Sequence, residues 1–161
     1  MSIYMQIPGV QGNVQAEGYQ GWIELNDVDF SGVSNPIRMD VGKAVDRNAG
    51  RPSFGQVSLL KTQDGSSIKL YEAAHSNKVF PQAEIHYVTT GSQLFAFAKM
   101  KLSNVAVSHY SEKFDSDKSR PDEVVRLTYT QMERTTIPRD SQNQAGSPMI
   151  SGFDLEQAKQ L

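Results

Sequence analysis

What most constrains this chain is an alternation of apolar and polar residues with a period of two, interrupted twice by a change of phase. Ile3, Met5 and Ile7 alternate with Tyr4 and Gln6, and Pro8-Gly9 ends that run. Trp22 opens a second run with Ile23 and Leu25 in phase, yet Val28 and Phe30 beyond it are apolar in the opposite phase. Successive side chains of a strand point to opposite faces, so a buried set changes phase only through a bulge or bend. A bend is therefore expected near Asn26-Asp27, with Asp27 and Asp29 turned away from the face that buries Val28 and Phe30. The second change of phase lies in the longest run. Leu94, Ala96, Ala98, Met100 and Leu102 share one face, then Val105 and Val107 take the other phase, which places a bend near Ser103-Asn104. Such bends let a sheet curl on itself. The expected fold is mainly β, a closed or nearly closed antiparallel barrel with long protruding loops.

The remaining segments fill in seven or eight strands. Ile37, Met39 and Val41 read as a third strand, followed by a glycine- and charge-rich loop from Gly42 to Gly55, and Val57 and Leu59 mark a strand over Gln56 to Lys61. From about 66 to 76 the period changes: Leu70, Ala73 and Ala74 fall on one helical face, with Tyr71 beside them. Asp64, Ser66 or Ser67 could cap this helix, Asn77 suits a left-handed end, and Pro81 blocks continuation. At 1.5 Å per residue it spans only about 16 Å, so it plugs or flanks the barrel. Ala83, Ile85 and Tyr87 resume the β pattern and Thr90-Gly91-Ser92 is a turn. A polar loop from Ser111 to Asp122 precedes a last strong strand carrying Val125, Leu127 and Tyr129. The stretch from Pro138 to Pro148 reads as a loop, and Phe153 and Leu155 as a short final strand.

Length and charge narrow the function. At 161 residues, 38% of them hydrophobic and 21% charged, the chain is expected to be a single domain over 1–161 with a real core. Sixteen basic residues against eighteen acidic ones lack the basic excess by which proteins neutralise nucleic-acid phosphates. The absence of cysteine excludes disulfides, thiolate metal sites and cysteine nucleophiles. No run reaches the roughly 18 apolar residues of a membrane span. Residues 1–20 lack the basic and apolar regions of a secretory signal, so synthesis in the cytoplasm and export by another route are expected.

Catalytic patterns are missing. There is no GxSxG elbow, Walker A loop, GxGxxG or HExxH. His75, His86 and His109 lack ligand spacing, and Asp115-Ser116-Asp117-Lys118-Ser119 opens like a calcium loop but continues with Arg120 where glycine is needed. Asp122-Glu123 reads as a solvated acidic pair. Phe95, Phe97 and Tyr110, without a basic surround, read as core or interface packing rather than a stacking platform. The expectation is a non-enzyme with no cofactor and no metal. Two loops do carry opposite charge. Lys43, Arg47 and Arg51 face only Asp46 in the first, whereas Glu112, Asp115, Asp117, Asp122 and Glu123 outnumber Lys113, Lys118 and Arg120 in the second. Opposite charge on two loops is what head-to-tail association uses for register.

The order of these segments resembles the haemolysin-coregulated protein family, the inner-tube subunits of bacterial type VI secretion systems. The likeness rests on Ile7-Pro8-Gly9-Val10-Gln11-Gly12, on Trp22-Ile23-Glu24-Leu25 followed by Phe30, and on Lys61, Asp64, Ser66-Ser67, Leu70 and Ala73-Ala74 with Ala83 and Ile85. It continues through Leu102, Asn104-Val105, Val107-Ser108 and Tyr110, through Glu123 to Tyr129, and ends on Gly152-Phe153-Asp154-Leu155 with Lys159. The stretch Asn48-Ala49-Gly50-Arg51 is poorer in glycine than in many relatives, and with the sequence ending soon after Leu155 the fused toxin domain some relatives carry is not expected.

The resemblance implies a barrel that forms homohexameric rings. These rings stack inside a contractile sheath, carry a spike protein at the tip, and leave the cell with small effectors in the lumen. Asp27 and Asp29 are then candidates for the lumen face, and Lys43, Arg47, Arg51, Asp115 and Asp117 for ring stacking or contacts between subunits. A phage-type tail-tube subunit shares this logic, and a monomeric barrel around a small ligand is the alternative from another class.

Overall fold

Both changes of phase are corners at which the chain leaves one sheet layer for another. The computed structural model describes residues 1–37, 41–42 and 50–161. In chain order its elements are β1 (Ser2–Gln6), β2 (Ile23–Leu25), β3 (Asp27–Phe30), β4 (Val33–Ser34), β5 (Ser53–Phe54), β6 (Val57–Thr62) and α1 (Ser67–Ser76). After the helix come β7 (Val79–Thr89), β8 (Phe95–Lys113), β9 (Asp122–Thr128), β10 (Gln131–Thr136), β11 (Met149–Asp154) and β12 (Lys159–Gln160). At the first corner β2 pairs with β1 and β3 pairs with β6, all antiparallel. Asn26 lies between them: its N–H donates to the Leu60 carbonyl at 2.7 Å and its side-chain amide to the Thr62 hydroxyl at 3.0 Å.

The second corner is Asn104, which sits inside the unbroken strand β8 at φ +53°. Asparagine tolerates this left-handed conformation better than most residues. Before it, β8 pairs with β10 from Ala98 to Ser103; after it, β8 pairs with β9 from Ala106 to Lys113. A third corner, at Tyr129-Thr130, separates β9 from β10. The two corners are tied together by Thr130 N–H to the Ser103 carbonyl at 3.0 Å and by the Asn104 amide to the Thr130 hydroxyl at 2.9 Å.

These pairings almost close on themselves. One path runs β12-β11-β10-β8-β7-β1-β2, and a branch runs β8-β9-β6-β3. Because β2 and β3 are halves of one bent segment, the circuit returns to β8 through Asn26, giving a nearly closed antiparallel barrel. The interior is filled by side chains rather than by a ligand space. Met5, Ile23, Ile85 and Met100 from one wall and Val57, Leu59, Val125 and Leu127 from the other share one core, all fully buried. β10, β11 and β12 continue beyond the barrel as a wing.

Several expectations need correction. Twelve strands are present among the described residues, not seven or eight. Ile37 and Val41 lie outside any strand and are exposed, and Met39 lies outside the described residues. The partner of that region is instead the two-residue ladder β4–β5, with Val33 opposite Phe54, so the expected loop from 42 to 55 ends in a strand. β8 runs to Lys113, past the expected loop start at Ser111. The last strong strand is present as β9, ending at Thr128, and β10 beyond it is an additional strand, with Met132 buried in the phase opposite to Leu127 and Tyr129. The final strand spans Met149–Asp154 and includes Phe153 but not Leu155.

α1 behaves as read. Leu70 and Ala73 are buried against the barrel, and Asn77 ends the helix at φ 56°. Its N-terminus is organised differently from a side-chain cap: Ser66 occupies that position without capping, and the Asp64 carboxylate accepts the Ser66 N–H at 2.9 Å.

Candidate functional site

The two charge-bearing loops are placed by the direction of β6. This strand runs from Val57 to Thr62, and β9 lies antiparallel to it with Val57 opposite Leu127 and Thr62 opposite Asp122. The hairpin that holds the first charged loop enters β6 at Val57, whereas residues 114–121 lead into β9 beside Thr62. The two loops therefore leave opposite ends of one strand pair, about 17 Å apart at ~3.3 Å per residue, and residues 114–121 themselves hold two acidic and two basic side chains. Arg51 is exposed at the base of the first loop; Lys43 and Arg47 lie outside the described residues. Asp115 and Asp117 are exposed in a turn where Lys118 N–H donates to the Asp115 carbonyl at 2.9 Å. Lys118 forms an ion pair with Asp122, so part of that loop's charge is answered locally.

Asp27 and Asp29 lie between these ends. Both are exposed on β3, whereas Val28 and Phe30 are half-buried and pack on the core, as the phase predicted. Asp29 is opposite Ser58, which is opposite Arg126, so the three form a row across β3, β6 and β9 on the outward face. The structure thus brings Asp27 and Asp29 together, and separates Arg51 from Asp115 and Asp117 along the barrel.

Two polar clusters were not singled out from sequence. The first is inside. Lys61 and Glu123 are opposite each other on β6 and β9, both fully buried, with Nζ 2.7 Å from Oε2. Lys61 Nζ also lies 3.0 Å from the Asp64 carboxylate and donates to the Ser67 hydroxyl at 3.1 Å and to the Thr62 carbonyl at 3.2 Å. Ser67 donates to Glu123 Oε2 at 3.0 Å, and the Tyr110 hydroxyl donates to Glu123 Oε1 at 2.7 Å. Burial and the neighbouring Glu123 raise the Tyr110 pKa well above the ordinary phenol value. Glu123 is therefore not the solvated residue expected from sequence. The cluster joins β6, β8, β9 and the first turn of α1.

The second cluster is on the outer wall. His86 on β7 is buried, with Nε2 at 2.7 Å from Glu84 Oε1 and Nδ1 at 3.1 Å from the Tyr19 hydroxyl. Trp22 and Tyr19 lie edge-on to the His86 ring, with centroids 4.8 and 5.6 Å away. His75 is on α1 and His109 on β8, and among the described residues no group of three or more acidic, histidine or cysteine side chains could hold a metal ion. Among the described residues no helix is long and apolar enough to cross a membrane.

Residues 4–135 match the family model described as type VI secretion system effector, Hcp. The chain belongs to this family. Members are tube proteins of the type VI secretion system, and this chain is such a subunit. A solved structure described as a type six secretion system protein is 26% identical and superposes with a TM-score of 0.93, covering 99% of each chain. Hcp1 from Salmonella typhimurium is 19% identical with a TM-score of 0.79, covering 99% of this chain and 98% of its own. A type VI secretion system effector from Yersinia pestis is 14% identical with a TM-score of 0.75, covering 94% of this chain and 98% of its own. At those lower identities the likeness is one of fold. No curated protein matches the chain.

Proposed function

We propose that the whole chain, residues 1–161, acts as one tube domain that assembles into hexameric rings and stacks them head to tail. The observation that carries this reading is the placement of Arg51 and of Asp115 with Asp117 at opposite ends of β6 and β9. A heterologous contact between unlike ends of successive rings generates an open filament, which is what a tube needs. In this reading Lys43, Arg47 and Arg51 of one ring meet Asp115 and Asp117 of the next. Asp27 and Asp29 face the lumen, where small effector proteins travel.

The same reading gives the chain a structural role rather than an enzymatic one. Its partners are further copies of itself, a spike protein at the tip, and the surrounding contractile sheath. Assembly takes place in the bacterial cytoplasm, and the tube reaches the extracellular space. Reversing both acidic positions, Asp115→Lys with Asp117→Lys, tests the stacking. Native mass spectrometry is expected to show rings at wild-type level, while negative-stain images lose their tubes. Unchanged tubes would remove this pairing of ends. The lumen assignment is tested by Asp29→Arg: rings persist and effector retention falls, and retention equal to wild type would overturn it.

A further inference from the structure

The wall formed by β1 and β7 carries a second packed layer on its outer side. Residues 11–22 cross it, and Tyr4, Val14 and Val88 form a small cluster apart from the barrel core, with Tyr19, Trp22 and Ala96 packed against it. The segment is a self-bonded loop: Gly12 N–H donates to the Gly21 carbonyl at 2.9 Å, Val14 N–H to Trp22 at 3.1 Å, and Gly21 N–H to Val14 at 2.9 Å. Gly12 lies so close to the chain entering β2 that a β-carbon there would meet the Trp22 carbonyl at 2.3 Å. The loop's side-chain hydrogen bond to the wall beneath is the contact of Tyr19 with His86.

The tautomer of His86 follows from its neighbours. An ionised Glu84 can only accept, so Nε2 carries a hydrogen and donates to it, and Nδ1 is left to accept from the Tyr19 hydroxyl. We propose that this contact is an acid-released clasp: a proton added at His86 Nδ1 charges a ring buried beneath Tyr19 and Trp22, and residues 11–22 loosen from the barrel wall to let water reach it.

The groups facing the ring decide the direction. Burial disfavours the charged imidazolium and is the largest influence; Glu84, on the same strand, favours it; Lys99, directly opposite on β8, disfavours it. From the other elements Tyr4, opposite on β1, and Tyr19 bring hydroxyl groups, and Trp22 an uncharged indole. The balance holds the His86 pKa below its ordinary 6.5. The clasp is closed at neutral pH and opens on moving to acid.

The chain has one tryptophan, so Trp22 reports on this layer alone. Emission is followed from about pH 8 to about pH 5, together with amide exchange at Val14 and Gly21 and the His86 ring shifts by nuclear magnetic resonance. The expected result is a red-shifted emission with a midpoint below 6.5 that tracks the His86 ring, and faster exchange at both amides. His86→Gln removes the transition. Tyr19→Phe, which keeps the aromatic cover over His86, leaves the midpoint below 6.5. A midpoint at or above 6.5, a transition that survives in His86→Gln, or quenching without faster exchange would overturn the clasp.

Discussion

The two polar clusters hide similar chemistry in opposite ways. Inside, Lys61 and Glu123 face each other across β6 and β9, and each is also bonded to neutral partners on neighbouring elements. Outside, His86 is held between a partly exposed glutamate and a single tyrosine hydroxyl carried by a loop. The inner cluster holds two fully buried charges, so each depends on its partners being in place. The outer one leaves a near-neutral ionisation in contact with a movable segment. Burial of polar groups thus fixes the register of the strands in one place and creates a pH-sensitive handle in the other.

The contrast can be broken most sharply at Lys61. Lys61→Met strands a buried carboxylate and is expected to cost about 3–5 kcal/mol in urea unfolding, while Lys61→Met with Glu123→Leu together recovers most of that loss. A single substitution costing under about 1 kcal/mol would show that the inner pair is not as closed as its burial indicates. Next comes Tyr110→Phe, which removes a hydrogen bond to a buried carboxylate and is expected to cost ~1.5–3 kcal/mol by the same measurement. Tyr19→Phe removes a neutral bond from the outer wall and is expected to cost about 0.5–1.5 kcal/mol. The smallest effect is the pH dependence. His86 has a folded pKa below its unfolded value of 6.5, so its contribution is full above pH 6.5 and is lost as the pH falls from there towards the folded value. Equilibrium unfolding at stepped pH is expected to show this decline in the wild type and a flatter profile in His86→Gln.

The corners at Asn26 and Asn104 were readable because each reverses the phase of a strongly apolar run. The corner at Tyr129-Thr130 leaves the same trace, Leu127 and Tyr129 against Met132, but only one apolar residue marks the new phase. β11 is nearly invisible, since Met149, Ile150 and Ser151 are all exposed and no alternation survives. The inner pair was hidden by residue type rather than by pattern. Lys61 continues the inward phase of Val57 and Leu59, and Glu123 that of Val125 and Leu127, but charged residues are so seldom fully buried that the pattern was set aside. Two opposite charges, each on the inward phase of its own strand, are the signal that would have found it. The outer clasp had no such trace, because the contact of Tyr19 with His86 depends on how a loop lies over a sheet.

The pairing of β1 with β7 sets the order in which the molecule can be built. Ser2 lies opposite Val88, so β1 leaves the ribosome long before its neighbour β7 exists. β8 in turn needs partners on both sides, from Val79 onward and from as late as Thr136. Contacts this distant along the chain make folding slow and leave early strands with bare edges during synthesis. A cell making many copies of such a subunit must keep those edges from meeting one another before each barrel has closed.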